Sequence, residues 1–78
     1  MLSKLYRLSR DTVSLETIGS RKQIVRIPKD AVIEVLKVLN GPEGRPMARV
    51  FWEGKTLEVF AEDIERRGEA VVAQAAAT

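Results

Sequence analysis

The sequence of 78 residues contains no cysteine and no histidine. Without cysteine there is no disulfide and no thiolate nucleophile. Without histidine there is no imidazole base, and zinc loses its usual ligands. Aromatic side chains are scarce: Tyr6, Phe51, Trp52 and Phe60 are the full set. No run approaches the roughly 18 apolar residues of a membrane-spanning helix. The first residues, MLSKLYRLSRDT, have Lys4, Arg7 and Arg10 breaking up their apolar positions, unlike a secretory signal. These absences lead us to expect a cytoplasmic chain with no membrane partner. A chain this short buries only about 60% of the surface its unfolded form exposes. With disulfides and zinc excluded, the stabilisers left to it are a β-rich core and self-association.

The net charge is +2, and it is unevenly spread. Residues 1–29 hold seven basic and two acidic residues, a net of +5. Residues 30–78 hold six basic and nine acidic, a net of −3. A basic half beside an acidic half fits either a nucleic-acid surface or an ordinary solvated one.

Alternation of apolar and polar residues every second position marks half-buried strands. Residues 12–27, TVSLETIGSRKQIVRI, read as a hairpin turning near Gly19-Ser20. A two-residue turn would set Val13 opposite Arg26 and place a charge in the core. An odd-length loop pairs Val13 with Ile27 and Leu15 with Val25, and is the expected register. Pro28 ends that strand, because it lacks a donor for the ladder. Residues 31–39, AVIEVLKVL, are β-branched and aliphatic enough for a central strand. NGPEGRP, from Asn40 to Pro46, is the plainest loop. MARVFWEGKTLEVF, residues 47–60, reads as a second hairpin turning at Glu53-Gly54. Its two-residue and four-residue loops give one register: Val50 faces Leu57, Ala48 faces Val59, and Arg49 pairs with Glu58 on the outer face. That face also carries Met47, Phe51 and Phe60. Ala61 to Asp63 is expected to be a short 3₁₀ turn and Ile64 to Arg67 a closing strand. A helix running through Gly68 is the rival, at a cost of about 1 kcal/mol for that glycine.

Three segments resemble SH3 domains. DAVIEVL, Asp30 to Leu36, is similar to the stretch entering their second strand. Met47-Ala48-Arg49 is similar to the next strand, with Ala48 at its buried alanine. FAEDI, Phe60 to Ile64, is similar to the 3₁₀ turn before the last strand, with Ile64 as its buried aliphatic. The resemblance covers about residues 25–67. It implies an all-β, small SH3-like barrel of five or six antiparallel strands, and the domain is expected over residues 1–71; the last residues, 72–78, are small with no partner pattern and are expected to be a frayed tail. The peptide-gripping residues of that family are missing. Arg45-Pro46 stand where its paired tryptophans fall, Phe60 stands for its proline and Asp63 for its tyrosine, so polyproline recognition is not implied. LEVFAEDIER, Leu57 to Arg66, is also distantly similar to the SH3-barrel type of plasmid-borne dihydrofolate reductases. Glu58 there replaces a glutamine that faces the cofactor, and a carboxylate would repel a dinucleotide phosphate. EVFAEDIERR is similar to the end of the carbon storage regulator family, whose middle does not align.

No catalytic constellation is readable, and neither a cofactor nor a metal site is expected. Glu62, Asp63 and Glu65 sit beside Arg66 and Arg67 and read as a solvated surface. GPEG, Gly41 to Gly44, lacks the GK[ST] ending of a phosphate loop. The expectation is a non-catalytic interaction module. It would bind a protein partner, or itself as a homo-oligomer, through Met47, Phe51 and Phe60. Packing of the N-terminal Leu2, Leu5, Tyr6 and Leu8 over that strip is the competing possibility. The alternative function is nucleic-acid binding through Arg7, Arg10, Arg21, Lys22 and Arg26, with Tyr6 or Trp52 stacking a base.

Overall fold

A computed structural model describes residues 5–71. The chain forms β1 (Leu5–Leu8), the hairpin β2 (Thr12–Ile18) and β3 (Arg21–Ile27), then β4 (Val32–Asn40). A 3₁₀ turn (Pro42–Gly44) leads to β5 (Pro46–Trp52) and β6 (Lys55–Phe60). The helix α1 (Ala61–Arg67) and β7 (Gly68–Ala70) follow. All pairings are antiparallel, in the order β3-β2-β6-β5-β4-β1-β7. The architecture is therefore all-β, as expected. There are seven strands among the described residues rather than five or six, and the sheet is not closed: β3 and β7 are its ends. The tail 72–78 lies outside the described residues.

The β5–β6 hairpin has the expected register. Val50 faces Leu57, Ala48 faces Val59 and Met47 faces Phe60. Its tight turn requires positive φ at both central residues, and Glu53 (48°) and Gly54 (78°) supply it. The core gathers Ile33 and Val35 from β4, Ala48 and Val50 from β5, and Leu57 and Val59 from β6. Leu8, Ile27 and Ile64 complete it. One irregularity lies between Val35 and Lys37, where Leu36 is the extra residue of a bulge. It resets the alternation, so that Lys37 stands opposite Arg49 and Val38 opposite Ala48.

The β2–β3 hairpin departs from the expected register. Ile18 pairs with Arg21, Leu15 with Ile24, and Val13 with Arg26, so the turn has two residues after all. Gly19, at φ 63°, occupies the first central position, where positive φ is needed. The charge avoids the core because the opposite face turns inward. Thr12 and Ser14 are buried, facing Ile27 and Val25. Their hydroxyls donate to backbone carbonyls: Ser14 to Val25 at 2.7 Å and Thr12 to Arg10 at 3.1 Å. Paired in this way, they carry no unsatisfied burial penalty.

Residues 61–67 also differ from expectation. They form a short α-helix, and the last strand begins at Gly68. Glu62 and Asp63 lie in its first turn and Arg66 and Arg67 in its last, which suits the helix dipole. Gly68 ends the helix in extended backbone, its N–H donating to the Ile64 carbonyl, so the chain turns out of the helix without crossing it at Gly68. The helix presents Ile64 to the core. The Ser9 N–H donates to the Arg67 carbonyl, and Val71 N–H to the Leu5 carbonyl, tying the last described residues to β1.

Candidate interaction face

The reversed hairpin register brings together side chains that sequence reasoning had kept apart. Val13, Leu15 and Ile24 lie on the outer face of β2 and β3. Leu15 pairs across to Glu58 of β6, whose outer neighbours are Phe60 and, on β5, Met47 and Arg49. The result is a shallow apolar groove running between the hairpin and the β5–β6 pair. One part, of about 240 Å³, is lined by Val13, Leu15, Ile24, Met47, Phe60 and Asp63 among others. A second part, of about 360 Å³, continues past Leu39 to the loop at Gly41 and Pro42. Val13 is 52% exposed and Ile24 71%.

Met47, Phe51 and Phe60 all stand on the outer face, as expected, but they do not form one strip. Met47 is 6% exposed. Gly41 lies so close over it that a Cβ there would come within 2.5 Å of its Cγ. Phe60 is half-buried under the Arg45 guanidinium, 4.1 Å from its ring centroid, and that guanidinium also pairs with Glu62. Phe51 is 42% exposed but sits between Glu34 and Thr56. The Arg49–Glu58 pair separates it from Met47 and Phe60. Nor do the described residues of the N-terminal segment cover the groove. Leu8 is in the core, Tyr6 packs against it, and β1 pairs with β4 and β7, away from β2 and β6. Leu2 lies outside the described residues.

Glu58 is the polar centre of the face. Its carboxylate lies 3.6 Å from both Lys22 Nζ and Arg49 Nη2. Lys22 also donates to the Thr17 hydroxyl at 3.4 Å. The expected basic set is only partly gathered. Arg21, Lys22 and Arg26 share β3, but Arg7 is on β1, separated from it by β2, β6, β5 and β4 in the sheet order. Arg10 precedes β2, next to Asp11, which accepts from the Lys29 N–H. Tyr6 and Trp52 are both partly buried and pack against the core.

The carboxylates of α1 do not converge: Glu62 pairs with Arg45 and Asp63 borders the groove. Among the described residues no cluster of three or more acidic side chains is placed to hold a metal ion. No helix among them is long and apolar enough to cross a membrane. No known protein family, curated protein or solved structure matches this chain.

Sequence reasoning missed Val13, Leu15 and Ile24 as site residues because it assigned Val13 and Leu15 to the core. The signal was present in Thr12 and Ser14. Each can satisfy its own hydroxyl against nearby backbone and so can take the inward positions.

Proposed function

We propose that this chain is a non-catalytic interaction module on an SH3-like scaffold, and that it binds a protein partner on the outer face of β2, β3, β5 and β6. The chain order supports the scaffold. A long hairpin interrupts the path from the first strand to a three-stranded meander, and a helical turn then leads to a last strand paired with the first. The observation that carries the binding reading is the groove flanked by Val13 and Ile24. Both are more than half exposed beside Leu15, Met47 and Phe60. A chain this small needs its aliphatic side chains inside, and contiguous exposed apolar surface of this kind marks a contact site.

A displayed library of random peptides, selected on the wild-type protein, tests the reading. Selected peptides should lose at least about tenfold in affinity, about 1.4 kcal/mol, for Val13→Asp. The variant's unfolding midpoint should stay near wild type. Selected peptides that bind both proteins equally, or a library that yields none, would refute it.

A further inference from the structure

The groove ends at β3, which is an edge of the sheet among the described residues, and that edge has a chemistry of its own. Among the described residues β3 pairs with β2 alone. Ile18 and Arg21 flank a two-residue turn and therefore exchange both of their backbone hydrogen bonds. Bonded pairs then recur at every second position, at Gln23, Val25 and Ile27. The N–H and C=O groups of Lys22, Ile24 and Arg26 consequently point away from β2, toward an edge that no other described strand covers. The side chains of these same three residues stand on the outer face, because their partners there are Thr17, Leu15 and Val13. One seam thus offers backbone donors and acceptors together with a cation, an exposed aliphatic and a second cation at alternate positions.

Resting on the reading above, we propose that this edge captures an extended protein segment as an added strand, and that the segment carries an acid, an aliphatic and an acid at alternate positions. Backbone bonds to Lys22, Ile24 and Arg26 supply the pairing. The acids face Lys22 and Arg26, and the aliphatic residue covers Ile24 and continues the apolar groove toward Leu15. A second copy of the chain is a poor occupant of this edge. Two β3 strands paired antiparallel about Ile24 would set Lys22 against Arg26 twice, and pairing about Lys22 or about Arg26 would set that cation against its own copy. Charge complementarity therefore selects an acidic segment from another protein.

The test uses the full chain and a blocked synthetic peptide, Gly-Glu-Thr-Val-Thr-Glu-Gly, with a Lys-for-Glu version as control. The acidic peptide should shift and protect from exchange the amides of Lys22, Ile24 and Arg26, and the lysine peptide should not. Ile24→Pro removes an outward N–H while leaving the β2 bonds in place, a position where edge proline is tolerated. It should abolish binding with the amide spectrum still dispersed. Lys22→Glu with Arg26→Glu, which leaves the backbone intact, should weaken binding at least about tenfold.

No binding of the acidic peptide up to about 1 mM, the regime of the weakest specific complexes, would overturn the proposal. So would equal binding of the two peptides, self-association through β3 in sedimentation, or displacement of the peptide by an oligonucleotide that shifts the same amides. Peptide binding that survives Ile24→Pro but is lost in Val13→Asp would overturn the edge mode alone and leave the groove reading standing.

Discussion

Val13 and Ser14 exchange roles between the two registers of the first hairpin, so substituting each in turn tests the register. In the structure Val13 is 52% exposed, while Ser14 is 1% exposed with its hydroxyl on the Val25 carbonyl. Val13→Ala removes two carbons. Fully buried, each is worth about 0.8 kcal/mol, so at half exposure the loss is about 0.8 kcal/mol in total. Ser14→Ala removes one buried hydrogen bond, a loss of about 1 kcal/mol. Ser14→Val inserts bulk into a packed layer and strips that bond as well, a combined loss of about 2–4 kcal/mol. Trp52 is the only tryptophan and packs against the core, so its fluorescence follows urea unfolding directly. With a slope near 1 kcal/mol per molar urea, Val13→Ala and Ser14→Ala should each lower the midpoint by about 1 M. Ser14→Val should lower it by at least about 2 M. In the odd-length register Val13 is inward and Ser14 outward. A loss above about 2 kcal/mol for Val13→Ala, with Ser14→Val neutral or stabilising, would therefore refute the register, and the groove with it.

Other substitutions probe the elements around the groove. Leu57 is fully buried at the centre of the core, so Leu57→Ala should cost about 2–5 kcal/mol in chemical unfolding, whereas Ile24→Ala should change stability by less than about 1 kcal/mol. A Cβ at Gly41 would collide with the Arg45 carbonyl and come within 2.5 Å of Met47 Cγ; Gly41→Ala should cost about 1–3 kcal/mol and shift the Met47 methyl resonance. Gly54 holds φ at 78° in the β5–β6 turn, so Gly54→Ala should cost about 1–2 kcal/mol and lower the melting temperature by at least about 4 °C. Glu58→Gln frees Lys22 and Arg49 from a common partner; it should cost no more than about 1 kcal/mol in stability and strengthen binding of the acidic peptide about two- to fivefold, and weaker binding would argue against an acidic ligand.

How far the sequence could be read differs between the two hairpins for a physical reason. In β5 and β6 the inward residues Ala48, Val50, Leu57 and Val59 are all apolar, and either even-length turn gives one register, so the pairing was legible in full. In β2 the apolar residues face out and the hydroxyls face in. Apolar alternation reports which residues share a face, but not which face is buried. The helix at 61–67 was hidden in a similar way. Its dipole-matched charges were visible, yet an end at Gly68 in extended backbone depends on β7 pairing with β1, a contact between residues some sixty positions apart.

That misreading and the candidate site have one cause. Local rules favour Val13 and Leu15 inside and Ser14 outside, and this chain does the reverse, with a glycine turn that enforces it. Three side chains that the core of so small a domain would readily use, Val13, Leu15 and Ile24, instead line a groove, and two polar side chains are buried in their place with bonds built to suit them. The exchange lowers the apolar area buried by the isolated chain, so the fold's own stability gives it no account. The proposed partner on the groove would account for it. It would return those side chains to an apolar environment, and the edge beside them, which no other described strand pairs, with Lys22 and Arg26 flanking Ile24, supplies the direction from which the proposed acidic segment would dock.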